Sequence, residues 1–329
     1  MITQLGAVTL KSGESAEILK ITAPEPDWEE PVRSRLAHKS SRWHQPMSRA
    51  LREGLPGLTM NFFLLRVGEA TVGTLTVVQA LKRPVALLQH VFTDPDHRRK
   101  GICSYLMRAL QDDFLAEGGQ AMYLGTGYDT PPFWIYHSCG FRPIGTIGAM
   151  VWVADQDYSD SYFAPAETLV RASQWGDWPL LHALYQLEKG WDLRGFSYGQ
   201  FGNASYESAF CELEEAIEAA EAQQSMVIES QTSSAVVGHA FLARDRKWPD
   251  GPWVLDLFVH PSFSERGSDL LDALQLPVGV KIQAYCDDLA TDRAALLQSR
   301  GFSLEATLTG QYVNGQGLPR DVLLYSLMP

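Results

Sequence analysis

The chain has 329 residues, 45% of them hydrophobic, and a formal net charge of -12; that length suits two domains of roughly 100–200 residues. The acidity argues against a nucleic-acid partner, and no apolar run approaches the roughly 18 residues needed to span a membrane. Cys103, Cys139, Cys211 and Cys286 form no C-x-x-C pair, and the opening residues lack a basic segment before an apolar one, so no metal site, disulfide framework or secretory leader is expected and a cytoplasmic protein is.

In chain order, apolar alternation predicts a strand at 16–22, helical segments at 28–38 and 46–53, and strands at 61–67, 70–80 and 85–93. A helix is predicted at 102–116, with Ile102, Tyr105, Leu106, Ala109 and Leu110 on one face and Gly118-Gly119 as its stop signal. A strand at 121–125, a helix at 132–138 opened by Pro131-Pro132, and a strand at 146–153 complete this part. The stretch 155–167 is polar and without helical period, which marks a boundary. Beyond it helices are predicted at 178–188, 206–222, 268–274 and 292–299. Strands are predicted at 225–230, 234–244, 253–259, 280–285 and on to the C-terminus.

The second part repeats landmarks of the first. Val72-Gly73, Asp94-Pro95 with Gly101, and Gly140-Phe141 recur about 160–166 residues later as Val237-Gly238, His260-Pro261 with Gly267, and Gly301-Phe302. The expectation is an α+β protein of two modules, 1–156 and 167–329. Each is a mixed, mostly antiparallel sheet flanked by helices.

The most informative stretch is Arg98-Arg99-Lys100-Gly101-Ile102-Cys103-Ser104, a basic, glycine-containing turn that runs from a strand into an amphipathic helix. The first turn of a helix has unpaired N–H groups and a partial positive charge, so it receives a diphosphate without a dedicated side chain. Gly101 lets the backbone approach the phosphates and the cations add charge around them. The turn is no P-loop, because no Gly-Lys-Ser/Thr follows, and no dinucleotide fingerprint, because the three-glycine spacing is absent.

The run from Val91 to Cys103 resembles the acetyl-CoA motif of the GNAT acetyltransferase superfamily, Gln/Arg-x-x-Gly-x-Gly/Ala. Arg98 and Gly101 fill the first two places, and Cys103 replaces the last. Asp129-Thr130-Pro131-Pro132-Phe133-Trp134-Ile135-Tyr136-His137-Ser138-Cys139-Gly140-Phe141 resembles a second signature of that family, Asn-x-x-Ala-x-x-Leu-Tyr-x-x-x-Gly-Phe. Tyr136, Gly140 and Phe141 match it, while Asp129 and Pro132 depart from the Asn and Ala places. The resemblance covers most of the chain as a tandem pair and is far more specific in the first half.

The resemblance implies an acetyl-CoA-dependent N-acetyltransferase acting on a primary amine of a small molecule, or a protein amine, by direct attack in a ternary complex. It places cofactor contacts at Val91, Phe92, Thr93, Arg98, Arg99, Lys100, Gly101, Ile102, Cys103, Ser104 and Asp129. Tyr136 becomes the acid that protonates the departing thiolate, and Trp43 and His44 fall on the acceptor side by position. A non-catalytic acyl-CoA-binding or sensing protein is the rival reading, since it needs the turn but no acid or base.

His90 is the one titratable residue in Leu87-Leu88-Gln89-His90-Val91 and a candidate base, with an ordinary pKa near ~6.5. Strand alternation leaves open which face it takes. Cys103, near a helix N-terminus beside three cations, is either a thiolate able to accept an acyl group or a small packing residue. In the second half Ser264 stands at the Arg98 place, Asp269 at Cys103 and Leu297 at Tyr136. That module is therefore expected to be degenerate: structural, shaping the acceptor side or an oligomer contact, a homodimer among the options.

Overall fold

The computed structural model describes residues 1–37, 39–220, 222–245 and 247–329. They form two compact units. One comprises Met1–Pro143, Met150–Tyr158 and Gln174–Leu180; the other comprises Ile144–Ala149, Ser159–Ser173 and Leu181–Pro329. Unlike the contiguous spans read from the sequence, Gln174–Leu180 packs with the first unit. A Cβ on Gly176 would lie 2.8 Å from the Gly57 carbonyl oxygen, and Arg49 lies over the Trp175 ring at 5.5 Å.

The first part of the chain contains β1 (Ile2–Thr9), β2 (Ser15–Thr22), α1 (Glu29–Arg35), α2 (Ser41–Glu53), β3 (Leu58–Val67), β4 (Ala70–Ala80), β5 (Val85–Thr93), α3 (Ile102–Ala116), β6 (Ala121–Gly125), α4 (Pro131–Ser138), β7 (Arg142–Ile144), β8 (Ala149–Val153) and α5 (Tyr158–Tyr162). Its sheet has the order β1-β2-β3-β4-β5-β6-β8-β7. Strands β1 to β5 pair antiparallel and β5 with β6 parallel. The parallel pair needs a crossover, which α3 supplies.

The core follows from the patterning. Leu65, Leu75, Val77 and Leu88 from the strands meet Ile102, Leu106, Leu110 and Phe114 from one face of α3. Lys20 of β2 holds the far end of α3 through Asp113 and Glu117, both at 2.6 Å. The close approach of α3 to β4 explains Gly73. A Cβ there would stand 2.3 Å from Ile102 Cγ2 and 3.3 Å from Leu106 Cδ1. Gly73→Ala is therefore expected to destabilise the fold by about 1–3 kcal/mol, the cost of overpacking a filled core. A urea-unfolding midpoint equal to that of the unaltered chain would contradict this.

The remainder contains β9 (Thr168–Ala172), α6 (Trp178–Tyr185), β10 (Leu193–Gly195), β11 (Gln200–Phe201), α7 (Glu207–Glu218), β12 (Ala222–Ser230), β13 (Val236–Arg244), β14 (Trp253–Val259), α8 (Gly267–Ala273), β15 (Ile282–Asp287), α9 (Thr291–Ser299), β16 (Ser303–Val313) and β17 (Pro319–Leu327). The larger sheet runs β16-β17-β15-β14-β13-β12-β9, with β10 and β11 as a separate pair. Counted from β2 and from β9, both sheets have the same strand order. In each the fourth and fifth strands, β5–β6 and β14–β15, are parallel. α3 and α8 bridge those strands, and α4 and α9 follow them. Gly238 repeats the Gly73 device: a Cβ there would meet Ile228 at 2.8 Å and Leu270 of α8 at 3.2 Å.

Several elements differ from the sequence reading. β1 escapes it because Gly6 sits at a register shift that breaks the alternation, and the strand is mostly exposed. α2 begins at Ser41 and continues through Pro46, which the reading takes as a start. The polar stretch 155–167 contains α5, with Tyr158 and Tyr162 buried. Strand β12 starts at Ala222, where a helix is predicted to end; α1 ends at Arg35, and His38 of the predicted helix lies outside the described residues. Among the described residues no helix is long and apolar enough to cross a membrane.

Candidate active site

The ladder between β5 and β6 joins only Val85, Ala86 and Leu87 to Ala121, Met122 and Tyr123. Beyond it β5 bulges. Thr74 faces Phe92 and Thr76 faces Gln89, so His90 and Val91 together oppose Leu75, and His90 takes a left-handed φ of 52°. Such a bulge bends its strand and ends regular pairing. Beside the bent segment lies a cleft of about 660 Å³.

The N-terminus of α3 opens on this cleft. Gly101 is its N-cap at φ 89°, with no side-chain cap and no acidic residue in the first turn. The leading N–H groups have no partner within the helix, and the helix dipole adds to their pull on an anion. A Cβ on Gly101 would be strained at this φ and only 3.2 Å from the Tyr105 ring. The turn before it is anchored at both ends. Asp94 accepts two bonds from Arg35 Nη1, at 2.8 and 2.7 Å, and its N–H donates to the Val72 carbonyl. Lys100 Nζ pairs with Glu14 at 3.0 Å; bonds from Ser12 first and then Lys100 hold the Glu14 carboxyl below its usual pKa. Arg98 and Arg99 are exposed at the cleft, and Arg98 Nε donates to the Thr93 carbonyl at 3.4 Å.

Tyr136 reaches the same cleft from α4, together with Pro131, Pro132 and Ile135. Its ring packs edge-on to Phe141 at 6.1 Å. Its carbonyl accepts the N–H groups of Cys139 and Phe141, a helix end that Gly140, at φ 89°, makes accessible.

Val91, Phe92, Thr93, Arg98, Arg99, Gly101, Ile102, Cys103, Ser104 and Tyr136 thus line one cleft. Of the cofactor-contact and catalytic residues named from the sequence, three stand outside its lining, as do Trp43 and His44 of the acceptor side. Lys100 turns to Glu14. Asp129, at φ 56°, accepts the indole N–H of Trp134 at 2.8 Å. His90 is half-buried in the bulge with its ring edge-on to Trp43 at 5.4 Å. The thiolate reading of Cys103 fails: burial first, and Cys139 second, push its thiol up to about 12, so it is protonated at neutral pH and packs against the core. The sequence reading missed Lys11, a lining residue from the β1–β2 turn; its only local signal is a lysine next to an apolar residue in a Ser-Gly turn.

The corresponding turn of the second unit is built differently. A 3-10 segment, Pro261–Arg266, runs directly into α8, and Gly267 has an ordinary helical φ of -58°. Asp269 sits in the first turn and pairs with Arg266 at 2.7 Å, while Arg266 Nε also donates to Thr168. Strands β14 and β15 also separate early, after Trp253–Ile282 and Val254–Gln283. Here the chain itself packs against both strands through β10. The N–H groups of Phe196 and Ser197 donate to Asp256 at 2.6 and 2.9 Å, and that of Leu193 to Asp287 at 3.2 Å. Leu297, at the place of Tyr136, is fully buried.

Residues 26–141 match the model of the acetyltransferase (GNAT) family. No curated protein matches the chain. Among solved structures, a ribosomal-protein-alanine N-acetyltransferase of Brucella melitensis is 20% identical with a TM-score of 0.40, covering 49% of this chain and 99% of its own. An N-acetyltransferase of Staphylococcus aureus is 18% identical with a TM-score of 0.38, covering 50% and 99%. A spermidine N-acetyltransferase of Vibrio cholerae, solved with CoA and spermine, is 14% identical with a TM-score of 0.35, covering 49% and 94%. The glycine-capped turn and the tyrosine facing it both fall inside the span, residues 26–141, that matches the acetyltransferase (GNAT) family model.

Proposed function

We propose that the first unit transfers an acetyl group from acetyl-CoA to a primary amine of a small molecule by direct attack in a ternary complex. The observation that carries this reading is the acid-free, glycine-capped N-terminus of α3 opening on the cleft that Tyr136 also enters. A dianionic diphosphate fits that helix end, with Arg98 and Arg99 around it. Val91 and Thr93, past the end of the β5–β6 ladder, offer backbone groups to an extended amide chain, as one more strand would. Acetyl-CoA supplies an acyl carbon with a thiolate leaving group.

The protein's own residues then hold and move protons. Tyr136 delivers its hydroxyl proton to the sulfur as the carbon–sulfur bond breaks. The amine must be neutral to attack, so the proton it sheds passes to His90 or to water. Trp43, against the His90 ring, marks the side from which the acceptor enters.

The second unit is, in this proposal, a duplicated module without a donor site. Asp269 at the helix start opposes a diphosphate, and the 193–197 segment packs beside β14 and β15, its N–H groups bonded to the Asp256 and Asp287 carboxylates.

The test is steady release of CoA thiol from acetyl-CoA over a panel of primary amines. Amine-dependent release with equimolar acetylated product is the expected result. Tight acetyl-CoA binding without release for any amine would select a sensing protein instead.

A further inference from the structure

Resting on the reading of the cleft as an acetyl-CoA site, we infer that Lys11 is a further ligand for the phosphate groups of acetyl-CoA, presented by a turn outside the matched family span. The span begins at residue 26, whereas this turn joins β1 to β2. It is fixed to the start of α3 by four contacts. Leu10 is buried with Ile102 and Leu106. The Lys11 N–H donates to the Lys100 carbonyl at 3.1 Å. Tyr105 Oη donates to the Thr9 carbonyl at 2.8 Å. Lys100 Nζ reaches Glu14 at 3.0 Å.

This places Lys11 at the anion-binding end. Its Cε lies 3.7 Å from where a Cβ of Gly101 would stand, and its side chain lines the cleft. Among the described residues no carboxylate pairs with its ammonium. Lys100, the neighbour that the sequence reading favoured, has its ammonium on Glu14 instead. The two lysines thus divide the work: Lys100 is a positioning residue that pins the turn, and Lys11 supplies the charge. A lysine is a point charge with three rotatable donors, suited to phosphate oxygens in more than one direction.

Acetyl-CoA affinity of the full chain, measured by calorimetry, tests this. Lys11→Ala is expected to weaken binding roughly fivefold, as for one exposed charge-assisted contact, and Lys11→Glu more than about twentyfold. Lys11→Arg should stay within about twofold, and affinity in Lys11→Ala should depend less steeply on salt. Unchanged unfolding midpoints exclude a folding defect, since Lys11 is exposed. Repeating the Lys11→Ala titration with acetyl-dephospho-CoA identifies the phosphate: an undiminished loss assigns the diphosphate, and a vanished loss the 3′-phosphate. Full affinity in Lys11→Glu, in a chain whose binding Arg98→Glu destroys, would overturn the inference and leave the site standing. Absence of acetyl-CoA binding by the unaltered chain would remove the site and the inference together.

Discussion

Arg98→Glu is expected to lower acetyl-CoA affinity by about 100-fold or more without changing the unfolding midpoint. Arg98 is exposed, and its side chain makes a long bond to the Thr93 carbonyl, so little folding energy rests on it. Its charge stands beside the unpaired N–H groups that α3 offers. Reversal removes one attraction and adds a repulsion at the spot where two phosphate charges converge. Arg98→Gln, which only neutralises, should fall between, at roughly tenfold. The comparison separates charge from shape. Retention of affinity in Arg98→Glu would place the phosphates elsewhere.

Tyr136→Phe is expected to lower kcat about 100-fold while leaving acetyl-CoA affinity within about twofold, the low end of the roughly 10²–10⁴-fold that general acids contribute. The ring remains, with its edge-on contact to Phe141, and the helix end is held by backbone bonds from Cys139 and Phe141 that the substitution does not touch. Only the hydroxyl is lost. An interaction made as the thiolate forms shows in kcat rather than in ground-state binding. The low end is chosen because a thiolate can leave unprotonated at some cost. Equal kcat in the Phe variant, with an identified acceptor and chemistry limiting the rate, would reduce Tyr136 to a packing residue.

The parts of the site legible in the sequence are those built from contiguous residues. Arg98 to Ser104 form a turn and the first residues of α3, and the anion-binding chemistry proposed for them is local, so composition and order suffice to point to it. Tyr136 is legible through the resemblance of residues 129–141 to the second family signature, in which Gly140-Phe141 follows the tyrosine. The alternation of β4 and β5 likewise gives most of the sheet.

What escaped depends on contacts distant in sequence. Lys11 gains meaning only when Leu10 is buried beside Ile102 and the turn bonds to Lys100. The side chain of Lys100 looks free for phosphate until Glu14, 86 residues earlier, arrives against it. The bulge at His90 follows from the register of β4 against β5, which no single strand encodes. Cys103 reads as electropositive by its neighbours, yet burial decides its state. The β10–β11 pair is too short for any period to show, and Asp256 and Asp287 hold it from strands roughly 60 and 90 residues away.

The account stands most directly on the number of acetyl-CoA molecules that one chain binds. The first unit has an open cleft with a bare helix N-terminus; the second has Asp269 at that helix start and its own segment bonded to Asp256 and Asp287. Calorimetric titration of the full chain with acetyl-CoA should give one site per chain. A stoichiometry of two, or binding of undiminished stoichiometry and affinity in Arg98→Glu, would contradict it.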